Sequence, residues 1–141
     1  QFWTAYPPAD LVIRNYTPGE MPVSSPLYRC NITNTIVYGA GKAPNVALDY
    51  ATSVNKDSIF SYRFDHCLLN ASGEDDDDFI STLWAEDPLY ELVDMPNYLC
   101  DPHLKEDSPA RGKGSPGTLL HFPLDLDGKP RSNPPSIGCY E

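Results

Sequence analysis

The chain has 141 residues, enough for one domain with a core of its own. It carries 20 acidic residues against 10 Lys and Arg, and the net charge of −10 works against binding to phosphate backbones or anionic membranes, which need clustered positive charge. The 15 Pro, 9 Gly and 9 Tyr residues favour turns and strands over helices, and no apolar run approaches the length of a membrane span.

The first 27 residues are interrupted by several prolines, which exclude a helix of any length there. They predict an extended arm with one short strand at Leu11–Asn15. The arm is followed by an alternating run from Tyr28 to Tyr38, which predicts one or two strands and ends at Gly39.

Residues 44–56 give the strongest helix signal in the chain. Pro44 stands where a helix tolerates proline, in its first turn. Val46, Tyr50 and Val54 fall on one stripe at a spacing of four residues. We expect this helix to lie across a sheet and to bury the stripe.

The next strand is predicted at Ile59–Phe64, and it is followed by a strongly acidic loop. Calcium loops space their ligands and place a Gly inside the turn, so a solvated, self-repelling loop is favoured over a calcium site here. The acidic run consists of Asp75, Asp76, Asp77 and Asp78.

Further strands are predicted at Phe79–Trp84 and Pro88–Val93. Residues 95–116 predict a long irregular loop, the kind of segment that often carries function in a compact domain. A last strand is predicted at Leu119–Leu126, closed by the turn at Asp127-Gly128. Strands, one helix and then more strands predict an α+β domain with the helix packed on an antiparallel sheet.

Three features point to a secreted glycoprotein. The four cysteines are widely spaced, with no Cys-x-x-Cys motif and no His at metal-ligand spacing, so two disulfides are favoured over a zinc site, and no metal or cofactor is expected. Asn15, Asn31 and Asn70 begin Asn-x-Ser/Thr sequons, the acceptors of N-linked glycans. The chain opens at Gln1, as a mature protein does after signal removal.

A series of short sequence motifs occurs in a particular order along residues 28–141. They are Tyr28-Arg29-Cys30, the predicted helix, Phe60-Ser61-Tyr62-Arg63-Phe64, Tyr90-Glu91-Leu92, Pro116-Gly117-Thr118-Leu119-Leu120-His121-Phe122 and a final Cys139. By these motifs the chain resembles the small guanyl-specific ribonucleases and ribotoxins of fungi, and still more closely the RNase-like secreted effectors of powdery mildew fungi.

The resemblance implies a ribonuclease-like domain over residues 28–141, preceded by a Pro-rich arm over residues 1–27. In that domain a single helix packs on a curved antiparallel sheet. The resemblance also implies a disulfide between Cys30 and Cys139, which leaves Cys67 to pair with Cys100.

Guanyl ribonucleases need a base, an acid and cationic donors for the charge that builds on phosphate. The family supplies them from a Glu, two His and an Arg. Glu91 matches the Glu, but Tyr62 stands at the first His, Leu120 stands at the Arg, and residues 131–134 contain no His. Glu91 is then either a relic or an alternative base. The three histidines, at positions 66, 103 and 121, are interpreted as surface or hydrogen-bonded imidazoles.

The resemblance therefore implies a secreted virulence effector with a catalytically inactive scaffold. Such a protein is expected to bind a host plant protein as a monomer, to be recognised by a plant immune receptor and to be delivered into the host cell. The alternative is an active guanyl-preferring endoribonuclease that uses Glu91, and a weaker one is non-catalytic RNA binding, which the net charge makes poor. The candidate binding residues are the four aspartates at 75–78 together with His103, Lys105, Arg111 and Lys113.

Overall fold

A computed structural model describes residues 9–17, 23–39, 46–49 and 58–141. Within these ranges the chain forms twelve short β-strands and two 3-10 helices, and no helix there is long and apolar enough to cross a membrane. The strands are β1 Leu11–Arg14, β2 Tyr16–Thr17, β3 Val23–Ser24, β4 Asn31–Thr33, β5 Ile36–Val37, β6 Val46–Asp49, β7 Arg63–Asp65, β8 Leu68–Leu69, β9 Phe79–Ile80, β10 Leu83–Trp84, β11 Tyr90–Asp94 and β12 Leu99–Leu104; the 3-10 helices are Met95–Asn97 and Pro116–Leu120.

Two three-stranded parallel sheets organise the first part of the molecule. One has the order β4-β7-β9 and the other the order β10-β8-β5. Ile32 lies beside Phe64, and Phe64 lies beside Phe79, in one continuous register. Each pass of the chain therefore adds one strand to both sheets, which is the arrangement of a parallel β-solenoid with three coils.

Each coil bends between the two sheets at a residue with a left-handed backbone. Asn34, His66 and Ser81 have φ values of 50°, 53° and 50°. Residues other than Gly rarely adopt this conformation, so its recurrence at one position marks a structural repeat. His66 follows Asn34 by 32 residues, whereas Ser81 follows His66 by only 15, and this unequal spacing hides the repeat in the sequence.

The first two coils are joined by further parallel pairing. β1 pairs with β6, so that Ile13 lies beside Leu48, and Leu27 forms a parallel bridge with Phe60. Ile13 is buried in the main core. Residues 11–14 of the predicted arm are therefore part of the solenoid.

The interior of the solenoid is the larger of two hydrophobic cores. Phe64, Cys67 and Leu69 have no exposed surface, and the rings of Phe64 and Phe79 stack with 5.0 Å between their centroids. Trp84 packs against Phe79 at the last coil. Residues that follow one another from coil to coil thus fill the interior as a stack.

The second core lies where the C-terminal region covers the β10-β8-β5 sheet. Leu68 from that sheet is fully buried against Leu104, Ala110 and Ile137. β11 and β12 form an antiparallel hairpin at the start of this region. Residues 105–141, which follow the hairpin, are mostly irregular.

Asn34 fixes the C-terminal region to the first coil. Its side-chain nitrogen donates to Thr118 Oγ1 at 2.7 Å, and its side-chain oxygen accepts from the Ser115 backbone N–H at 2.6 Å. Its backbone carbonyl accepts from the N–H of Gly138. Asn34 therefore binds two segments far along the chain, residues 115–118 through its side chain and Gly138 through its backbone carbonyl.

The predicted α+β fold, a single helix on a curved antiparallel sheet, is wrong. Val46–Asp49, inside the predicted helix, is a strand that pairs in parallel with β1, and the rest of residues 44–56 lies outside the described residues. Over four residues, the alternation Val-Ala-Leu-Asp fits a strand as well as a helical stripe. Pairing with β1 satisfies the backbone hydrogen bonds and decides between the two.

The predicted disulfides, Cys30–Cys139 and Cys67–Cys100, are also wrong, because all four cysteines are free. Cys67 is buried in the solenoid interior and Cys30 packs against the same cluster, whereas Cys100 and Cys139 are exposed in the C-terminal region. Each predicted bond would join a thiol of the interior to an exposed one.

Two predictions for the second half of the chain are corrected as well. The predicted strand Leu119–Leu126 is instead the end of the second 3-10 helix followed by irregular chain, and the predicted irregular loop 95–116 contains β12. The strands predicted at Phe79–Trp84 and Pro88–Val93 are confirmed in outline, the first as two short strands either side of the bend at Ser81.

Candidate functional site

An open groove of about 850 Å³ runs beside the β11–β12 hairpin. Leu89 to Val93 all line it, although successive residues of a strand point to opposite faces. The groove therefore runs along β11, and it also reaches Cys100 in β12 and Lys105 just after it. β11 has β12 as its only strand partner among the described residues, so its other edge is unpaired.

The opposite side of the groove comes from the solenoid. Tyr38 and Gly39 follow β5, Asn70 follows β8, and Asp87 precedes β11. The rings of Tyr38 and Tyr90 meet edge to face, with 6.4 Å between their centroids. The groove thus combines aromatic rings, an amide and carboxylates, the mixture that orients a ligand by both apolar and polar contacts.

Both tyrosines remain neutral hydrogen-bonding groups in ordinary buffers. Burial raises the pKa of Tyr90 to about 12, with a further contribution from the neighbouring Cys139 and Cys100. The pKa of Tyr38 is raised by burial and then by Asp87, which accepts a hydrogen bond from its hydroxyl. The two hydroxyls are suited to hydrogen bonding rather than to proton transfer at neutral pH.

The charges of the groove are mostly negative. Asp10, Asp87 and Glu91 line it, and Lys105 is the only basic residue among its described lining residues. Glu91 is exposed and has no hydrogen-bond or ion-pair partner within the described ranges. A cationic group of a ligand is the complement that this groove favours.

The residues predicted from the ribonuclease resemblance do not come together. Tyr62 packs in the solenoid among the rings of Phe60, Phe64 and Phe79, and Leu120 is exposed on the second 3-10 helix. Neither lines the groove beside Glu91 within the described ranges, and no His or Arg does so. Within the described part of the groove, Glu91 is therefore accompanied by one cation, Lys105, and not by the two His and the Arg of the ribonuclease site.

His103 is the centre of an ion-pair network outside the groove. Its Nδ1 lies 2.5 Å from Asp101 and its Nε2 lies 3.0 Å from Asp127, which also pairs with Lys129 at 2.9 Å. The Tyr140 ring stacks on the imidazole with 3.9 Å between centroids. Because both ring nitrogens face carboxylates, His103 holds the C-terminal segments together and has no nitrogen free for catalysis.

Protonation of this network makes the stability of the fold depend on pH. The hydrogen bonds to Asp127 and Asp101 raise the pKa of His103. Its contribution to stability is therefore complete below the ordinary His pKa of about 6.5, and it is lost as pH rises through the raised pKa. The His103 bond lowers the pKa of Asp101, and the Lys129 and His103 bonds lower that of Asp127. The contributions of these carboxylates are present above the ordinary value of about 3.9 and are lost as pH falls through the lowered ones.

We therefore expect the loss of melting temperature on His103→Asn to be larger near pH 5 than near pH 8. Thermal melts of both proteins at the two pH values measure it. An equal loss at both values would contradict a protonated imidazole between the two carboxylates.

Two aspartates of the acidic loop accept hydrogen bonds that stabilise the local fold. Asp76 accepts from the backbone N–H groups of Asp78 and Phe79, and Asp75 accepts from the Thr82 backbone and from the Trp84 indole. Two of the four aspartates therefore hold the loop against the last coil. All four predicted binding residues, Asp75, Asp76, Asp77 and Asp78, are exposed.

The remaining candidates lie apart from the groove, except Lys105 and Asn70. Arg111 donates to the Leu104 carbonyl, and Lys113 is exposed. Of the sequon residues, Asn15 is buried and Asn31 is exposed. Because glycans attach at accessible positions, Asn31 is the more suitable acceptor of these two.

Sequence reasoning missed Tyr38 and Asp87 as site residues. They line the same groove as Glu91, Tyr38 from the first coil and Asp87 from the turn before the hairpin, and their spacing in the chain carries no signal of that shared site. Comparisons with protein-family models, with curated proteins and with solved structures found no significant match to this chain.

Proposed function

We propose that the chain is a binding protein that docks on another protein through the end of its β11–β12 hairpin, as a secreted effector docks on a host protein. The observation that carries the proposal is a group of exposed apolar side chains at and beside the turn of the hairpin, called here the hairpin patch. Its five side chains are between 45% and 93% exposed: Leu92, Val93, Met95, Tyr98 and Leu99.

An exposed apolar cluster of this kind supports an interaction role. Large apolar side chains that gather on a protruding element mark binding surfaces, whereas single exposed ones need no explanation. Tyr98, between β11 and β12, is 93% exposed and has its backbone in the left-handed region. Aromatic side chains in such positions commonly provide most of the energy of an interface.

The charge around the patch indicates the form of the partner surface. Glu91 and Asp94 lie beside the patch, and residues 89–99 contain no Lys or Arg. With a net charge of −10 on the whole chain, the complementary surface is an apolar cleft with a basic rim. A host plant protein with such a cleft is the partner that we propose.

The proposal is tested by affinity capture from leaf extract with the purified protein and with a Tyr98→Asn/Leu99→Ser variant. Asn tolerates the left-handed backbone of position 98, so the variant keeps the fold while losing the apolar surface. We expect the proteins captured by the wild type to fall at least about tenfold with the variant, the effect of removing an aromatic anchor.

A matched control uses a different exposed apolar surface. Leu120→Ser/Phe122→Asn removes two side chains that are exposed outside the hairpin. Capture that persists with this control and is lost with the hairpin variant supports the proposal. Capture that is unchanged by the hairpin variant, or absent with the wild type, contradicts it.

A further inference from the structure

We infer that the groove beside β11 takes an extended, basic peptide segment of the partner, which adds as a third strand to the β11–β12 hairpin. This inference rests on the proposed function and names the form in which the partner binds. The first argument is the unpaired edge. β11 spans five residues, and its outer edge offers backbone N–H and C=O groups on both sides of an irregularity between Tyr90 and Leu92.

The two outer edges of the hairpin differ. β12 contains Pro102, which has no backbone N–H and makes its edge a poor template for another strand. β11 contains no proline, and the groove lies along it. Strand addition to an exposed edge is a general mode of peptide recognition, in which the backbone provides affinity and alternate side chains provide specificity.

Side chains on the two faces of the groove fit such a strand. Leu92 and Val93 point to opposite faces of β11, so they offer apolar contacts on both sides of an added strand. On the solenoid side stand Tyr38 and Asp87. Glu91 has no partner of its own among the described residues and would pair with a Lys or Arg of the peptide.

The first test uses an acetylated nonapeptide amide of alternating Lys and Val, titrated by fluorescence anisotropy at low salt. We expect saturable binding below about 1 mM, and at least tenfold weaker binding of the matched Glu/Val peptide. Absence of binding by the Lys/Val peptide, or equal binding of the two, overturns the inference.

The second test distinguishes strand addition from side-chain docking. In an antiparallel pair, alternate residues of a strand direct their N–H groups to opposite edges. N-methylation of the Lys amides and N-methylation of the Val amides should therefore have unequal effects, with about a tenfold loss of affinity for one peptide and little for the other. Equal affinities of the two methylated peptides overturn strand addition.

The third test places the peptide in the groove. Glu91→Lys should weaken binding of the Lys/Val peptide at least about fivefold, whereas Asp77→Lys makes the same change of net charge on the exposed acidic loop and should weaken it less than about twofold. Equal effects of the two variants place the peptide elsewhere. If leaf-protein capture depends on Tyr98 and Leu99 while the peptides fail, strand addition is wrong and the proposed function stands; if both fail, both are wrong.

Discussion

Replacement of Phe64 by Ala is expected to lower the free energy of unfolding by about 3–5 kcal/mol. Phe64 has no exposed surface, lies in the middle coil and stacks on Phe79 with an interplanar angle of 9°. It also contacts Tyr62 edge to face. Because coils above and below are held in register by strand pairing, the cavity left by Ala cannot close without displacing both.

Chemical denaturation of the wild type and the variant measures this loss. Single domains of this size have total stabilities of about 5–15 kcal/mol, so a loss of this size is a large share. Phe122→Ala is the matched control, since Phe122 is 67% exposed and its truncation should change stability by about 0.5 kcal/mol or less. A Phe64→Ala loss as small as that of the control would show that the stacked interior is not the main core.

Ser108→Ala should have the next largest effect, a loss of about 2–3 kcal/mol. The Ser108 hydroxyl donates to the Pro88 carbonyl at 2.6 Å and accepts from the Ala110 N–H at 3.2 Å. All three residues are buried. Ala at position 108 leaves one buried acceptor and one buried donor without partners, and each carries a desolvation cost that water cannot offset there.

Two measurements check this expectation. Denaturation gives the loss of stability, with Ser72→Ala on the exposed loop as the matched control. Amide hydrogen exchange gives the site, because the Ala110 N–H should exchange faster in the variant than in the wild type. Unchanged exchange at Ala110 together with unchanged stability would show that the hydroxyl does not bridge these two segments.

The groove shows how much of a candidate site can be predicted from the sequence. Glu91 and Lys105 were candidate residues on the basis of the sequence, and both line the groove. The resemblance placed Glu91 in a ribonuclease site with Tyr62 and Leu120, which lie elsewhere. A short motif such as Tyr90-Glu91-Leu92 indicates that a carboxylate lies on a strand. It carries no information on which side chains from distant parts of the chain lie near that carboxylate.

The sequence by itself determined where about half of the described strands lie, that the chain is strongly acidic, and that its C-terminal third is rich in turns, because alternation, charge and proline act over a few neighbouring residues. Only the tertiary structure decided that the strands stack in parallel coils, that Val46–Asp49 pairs with β1 rather than forming a helix, and that the cysteines of the predicted disulfides lie in different parts of the molecule. The physical reason is that a strand edge is satisfied by whichever partner the whole chain brings to it, and a four-residue pattern cannot specify a partner more than thirty residues away.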